Sequence, residues 1–258
     1  MYTQSFSVPD EGDAKPGLKA VRQPPSETEA ALQAEFDARI DAFSGAPQSI
    51  YSDHFQWRDG AAGPAGYKLE VPPIHPALAA TLLGDFGTEN AQRMAALPHT
   101  HAMIALQRDG FHPDSAEGTV ELRSDGSPVL DYRMTDYAWN GIRRAFHSMA
   151  QIQFAAGAKS VLPLHADAEY VPTLAKAREL IDNLSLEIYR TRLGCAHVMG
   201  GCGMSEDPKL GVTDSLGRHH QLRNLSIHDG SLFPTSIGAN PQLSIYALCA
   251  KLASDLDD

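Results

Sequence analysis

An α+β architecture with a largely antiparallel sheet and flanking helices is what this chain's pattern predicts, on three observations. Strand-like and helix-like stretches mix without the regular βαβ alternation of a parallel sheet. A hairpin signature, "GTVELRSDGSPVLDYRM", occupies residues 118–134 with Asp125-Gly126 at its turn, where glycine readily supplies a positive φ. Upstream of it, residues 45–76 alternate short apolar stretches with Gly and Pro, the punctuation of brief strands rather than helices. With 258 residues, the chain can bury the core of one large domain or two small ones.

The elements follow in order. Residues 1–28 are rich in Pro, Gly and charge and read as a flexible or poorly packed lead-in. Residues 28–43, "TEAALQAEFDARIDAF", carry helical apolar spacing, so 1–44 form a poorly defined leading segment. After the strands of 45–76, "HPALAATLLGDF" and "TENAQRMAAL" read as helices, and "THAMIALQRD" (100–109) as a buried strand. Beyond the hairpin, Thr135 or Asp136 caps a long helix that Gly157 closes. "KSVLPL" is a further strand, "TLAKARELIDNLSLEIYR" (173–190) a helix, and "NLSIHD" (224–229) strand-like. At residues 238–241, "GANP" precedes the last helix. Asn240 suits an N-cap, Pro241 the first helical position, and the free N–H groups of such a helix start suit an electron-rich group.

Composition narrows the function. A formal charge of -11 with no basic block argues against nucleic acid and anionic membrane surfaces as partners. No stretch approaches the ~18 continuous apolar residues of a spanning helix. Three cysteines are too few for a disulfide framework, and the first residues lack the basic and apolar regions of a signal peptide. A cytoplasmic protein is therefore expected. His219, His220 and His228 do not predict a metal site. Adjacent histidines in an extended segment point to opposite faces, and no second ligand pair has metal spacing.

Chemistry concentrates in the last 62 residues. In order stand His197, Gly200, Cys202 and Met204, then Gly211, Val212 and Asp214. Asn224, Leu225, Asp229, Ser231 and Pro234 follow, then Gly238, Asn240 and Pro241. This series resembles the C-terminal signature of the glucose–methanol–choline (GMC) family of FAD-dependent oxidoreductases, and the likeness extends over roughly residues 45–258. Gly201 stands where the family usually has Thr.

The resemblance implies a substrate-binding domain over 45–195 and, over 196–258, a segment returning to the FAD-binding domain. It implies oxidation of a small-molecule alcohol by hydride transfer to flavin. His197 would be the base and Asn240 its partner on the substrate oxygen. Asp229 and Gly230 would approach the ribityl and phosphate part of FAD, and the helix start at Asn240 and Pro241 would face the flavin ring. The chain holds no strand-flanked G-x-G-x-x-G with an acidic residue about 20 positions on. The expectation is thus a C-terminal half whose cofactor half lies elsewhere, in a longer gene product or a separate N-terminal FAD-binding chain. The alternative is a non-catalytic fragment or interaction module that keeps the fold and binds no flavin.

Overall fold

The computed structural model describes residues 2–6, 50–84, 86–115 and 118–256. The helix expected over 28–43, and with it most of the leading segment 1–44, lies outside them. Among the described residues, seven strands run in chain order: β1 Tyr2–Phe6, β2 Tyr51–Ser52, β3 Tyr67–Glu70, β4 Thr100–Gln107, β5 Gly118–Leu122, β6 Pro128–Tyr132 and β7 Ala158–Pro163. Five α-helices accompany them among the described residues: α1 Pro76–Leu83, α2 Gly87–Ala95, α3 Asp136–Ala155, α4 Leu174–Asn183 and α5 Gln242–Ser254. The chain divides into two compact units. One comprises Met1–Tyr51, Leu69–Ala105 and Arg143–Arg192, the other Ser52–Lys68, Leu106–Ile142 and Leu193–Asp258.

Five strands form a sheet in the order β2-β3-β4-β1-β7, and β1 runs antiparallel to both of its neighbours. Tyr2–Phe6 was expected to be loosely packed. Its backbone instead pairs with Thr100–Met103 on one side and Ala158–Pro163 on the other. Pairing with strands so far away in sequence is tertiary, and local composition does not encode it.

In the first unit, α1 starts as its sequence indicates. Pro76 opens the helix, the His75 imidazole accepts from the Ala77 N–H at 3.2 Å, and Gly84 closes it in the left-handed conformation. Ile74, Ala79, Leu97 and Ala102 form a buried cluster with Met94 packed on it. The Thr173 hydroxyl caps α4 by accepting from the Lys176 N–H. That helix ends at Asn183 rather than continuing to residue 190. Leu184 is extended (φ -66°, ψ 132°), and the Arg143 guanidinium donates to the carbonyls of Ile181 and Leu184. A cation placed on carbonyls at a helix end satisfies acceptors that the helix itself leaves open.

In the second unit, β5 and β6 form the expected hairpin, with Gly118 opposite Tyr132 and Gly126 at φ 81° in the turn. Thr135 caps α3. Its hydroxyl oxygen accepts from the Ala138 N–H at 3.4 Å and its O–H donates to the Asp114 carbonyl at 2.8 Å. Residues 224–229 do not form a strand. Only an isolated antiparallel bridge joins Ser226 to Arg218, within a chain of turns. No helix among the described residues is long and apolar enough to cross a membrane.

Candidate active site

Every residue singled out from the sequence belongs to the second unit, where two groups of contacts arrange the site. The first joins the His197 segment to the Asp229-Gly230 turn. The Gly200 N–H donates to the Gly230 carbonyl at 3.2 Å, and the Cys202 N–H donates to the Ser231 carbonyl at 2.9 Å. Asp229 stands at the N-cap of a 3-10 turn, Gly230–Leu232, and its carboxylate accepts from both the N–H and the hydroxyl of Ser231. Those donors stabilise the ionised form and hold the Asp229 carboxyl below the usual carboxylate range.

Gly230 is buried, and a methyl group placed on it would lie 3.1 Å from both the Val198 carbonyl oxygen and Ile245 Cδ1 of α5. A larger residue would push the segment after His197 and α5 apart. The Cys249 thiol, also on α5, donates to the His228 carbonyl at 2.9 Å. Burial pushes this thiol up, and the nearby Asp229 charge adds to the shift. His228 Nε2 is buried without a hydrogen-bond partner among the described residues. His197 is half-buried, and its ring enters no hydrogen bond or ion pair among the described residues.

The second group fixes the loop before α5. Lys68, on β3, donates from Nζ to Asn240 Oδ1 at 2.7 Å. Gln56 donates from Nε2 to the Gly238 carbonyl at 2.8 Å. Arg108 is completely buried, and its guanidinium donates to the carbonyls of Gln56 (3.2 Å) and Gly60 (3.0 Å). The same guanidinium lies 4.2 Å from the centre of the Trp57 ring, so carbonyl oxygens and an aromatic face take the place of water around it. Gly238 packs against this arginine. It adopts φ 66°, and a Cβ there would fall 2.7 Å from Arg108 Cγ.

One expectation is corrected here. Asn240 does not cap the final helix. Pro241 occupies the N-cap position in the right-handed region (φ -89°, ψ -3°) with no side-chain cap bond, and the helix begins at Gln242. The physical reason is that Lys68 holds the Asn240 side-chain oxygen, which therefore does not serve the helix N–H groups. Pro241 itself is buried. His197 and Asn240 are linked through packing rather than directly. The chain after His197 meets α5 at Gly230 and Ile245, Asn240 lies two residues before that helix, and no hydrogen bond joins the two side chains.

His219 and His220 are engaged locally. His219 Nδ1 accepts from the N–H groups of Gln221 and Leu222, and His220 Nε2 bonds the Ser205 carbonyl oxygen at 2.9 Å. Lys68, Gln56 and Arg108 did not emerge from the sequence. Each lies at least 130 positions before the loop it holds, and no local pattern points from one to the other.

Comparison with known proteins gives the family. The GMC oxidoreductase C-terminal model matches residues 113–249, just over half of the chain, and the chain belongs to this family. It is 26% identical over 206 residues to a long-chain-alcohol oxidase of Arabidopsis thaliana, covering 74% of this chain and 26% of that protein. It is 29% identical over 143 residues to an uncharacterized GMC-type oxidoreductase of Sinorhizobium fredii, covering 55% of this chain and 28% of the other. A shorter match of 59 residues, 41% identical, links it to a cholesterol oxidase of Acinetobacter baumannii, with 23% and 11% covered. The chain thus spans about a quarter of the length of the first two relatives.

Proposed function

We propose that this chain is the substrate-facing, C-terminal part of an FAD-dependent oxidoreductase acting on an alcohol CH–OH group, with residues 45–195 shaping the substrate region and 196–258 facing the flavin. The observation that carries the reading is the family match over 113–249, a span that holds His197, Asp229, Gly230, Asn240 and Pro241. The names of the relatives favour apolar alcohols, either long-chain or sterol.

The residues present suit a flavin. α5 is 13 residues long and starts without a side-chain cap, so its first N–H groups and positive end are available to the electron-rich edge of the ring. Gly230 keeps the adjoining turn close to the Val198 backbone, the kind of place where backbone approaches a cofactor. FAD, when bound, supplies the hydride acceptor. The chain's own groups handle the alcohol. His197 takes the hydroxyl proton on an imidazole nitrogen, which releases the electron pair that weakens the carbon–hydrogen bond. Asn240 donates from Nδ2 to the alcohol oxygen, where negative charge builds as the proton leaves.

A second polypeptide, or a further part of the same one, would hold the ADP portion of FAD. α5 presents Leu243 (81% exposed) and Tyr246 (61% exposed) with Ala247 and Ala250 at helical spacing. We assign this apolar stripe to the contact with that polypeptide. The three cysteines are free, in keeping with a cytoplasmic setting.

The test is the visible spectrum of the chain with FAD, before and after desalting. The bands of FAD are expected to shift on mixing, and their loss on desalting marks dependence on a second polypeptide. An alcohol should bleach the bound flavin, and His197→Ala should slow bleaching by about 10²–10⁴-fold. An unchanged flavin spectrum at saturating FAD overturns the flavin reading in favour of a non-catalytic module. A His197→Ala effect below about threefold removes the base role.

A further inference from the structure

The bond from Lys68 Nζ to Asn240 Oδ1, 2.7 Å long and half-buried, joins positions 172 residues apart. Its chemistry is directional. An ammonium group offers only donors, and of the two ends of a carboxamide only the oxygen accepts. With Lys68 in place the amide has one stable orientation, oxygen toward the lysine, because the reverse sets NH₂ against NH₃⁺. A cation on the oxygen also draws electron density from the amide nitrogen, which strengthens its N–H groups as donors. The backbone beneath is fixed independently, by Gln56 on the Gly238 carbonyl and by the packing of Gly238 on Arg108. Lys68 therefore acts on the side chain of a residue whose main chain is already held.

We propose that Lys68 is a positioning residue for Asn240: it captures the carboxamide oxygen so that the Nδ2 donors serve the alcohol oxygen. The inference rests on the alcohol-binding reading of Asn240 given above, and it adds a residue that lies before the segment matched by the family model.

The measurement is ¹H–¹⁵N NMR of the Asn240 side-chain amide in the folded chain, titrated with 1-hexanol in the presence of FAD. The amide resonances should move saturably in the wild-type chain. Lys68→Met should weaken the apparent affinity about tenfold, and Lys68→Arg should restore most of it, since it returns a charged donor. Should Lys68→Met lose amide dispersion, Lys68→Gln keeps a neutral donor of similar length and is expected to fall between wild type and Met. Equal 1-hexanol affinity in the wild-type and neutral variants overturns the positioning role and leaves the alcohol reading standing. An Asn240 amide indifferent to 1-hexanol in the wild-type chain overturns the alcohol reading and the Lys68 role with it.

Discussion

Replacing Gly238 with alanine tests whether the loop before α5 is held rigidly or only rests against its neighbours. Two penalties coincide there. The residue has φ 66°, a conformation that costs a residue with a side chain roughly 1–2 kcal/mol. The new methyl would also stand 2.7 Å from Arg108 Cγ, 2.8 Å from its Cβ and 3.3 Å from its Cα. Arg108 has no room to retreat, because it is fully buried and its guanidinium is bonded to two carbonyl groups. Overpacking of this kind costs about 1–3 kcal/mol, so Gly238→Ala should destabilise the second unit by about 2–5 kcal/mol in total. Gly126→Ala is the internal control. Its φ is 81°, yet nothing lies within 4 Å of the added methyl, so it should cost only the backbone part, about 1–2 kcal/mol. Urea unfolding followed by tryptophan fluorescence reads this unit, since Trp57 and Trp139 both lie within it. Trp57 also stacks on the arginine in question. Equal losses in the two variants would refute the argument, because they would mean that Arg108 yields without cost.

Two further outcomes follow from single contacts. The Ser231 donors hold the Asp229 carboxyl below its ordinary value of 3.8, so the stabilisation they give is present above that value and is lost as pH falls through the depressed folded-state value. Asp229→Asn should therefore narrow its stability gap from wild type as unfolding is measured from about pH 6 down to about pH 3, and a constant gap would contradict the assignment. Thr135→Ala removes the α3 cap and should lower stability by about 1 kcal/mol in the same urea assay. A variant matching wild type would show that the 3.4 Å bond to Ala138 contributes nothing.

What could be read from the sequence depended on how local the cause was. The hairpin was visible because Asp125-Gly126 fixes its turn and apolar alternation flanks it. α3 was visible because Thr135 marks its start, α1 because "HPALAATLLGDF" reads as a helix, and all three stand where they were expected. The starting position of α5 was misjudged by its cap. Asn240 has the right chemistry for that role, and a lysine 172 positions away took its oxygen first. "NLSIHD" looked like a strand because Leu225 and Ile227 alternate with polar residues. Among the described residues it has no neighbouring strand to complete a ladder, only the single bridge from Ser226 to Arg218. The place of Tyr2–Phe6 in the sheet was hidden for the same reason: both of its partners are remote.

The site divides along that same line, and the division bears on how the family's C-terminal segment works. The turns carrying His197, Gly200, Cys202, Asp229 and Gly230 close on one another within the segment matched by the family model, through Gly200 to Gly230 and Cys202 to Ser231. Their signal is short-range, which is why a series of small and polar residues was readable. Asn240 is different. Lys68 holds its side chain, and Gln56 and Arg108 hold its loop, and all three residues precede the matched segment. The two groups proposed to meet the same alcohol oxygen are therefore set by separate causes. The His197 segment is placed by glycine-rich turns of the family signature. Asn240 and its loop are placed by a lysine, a glutamine and a buried arginine from strands and loops earlier in the chain. Substitution at residues 56 or 68 should thus shift Asn240 and its loop without disturbing the turns around His197.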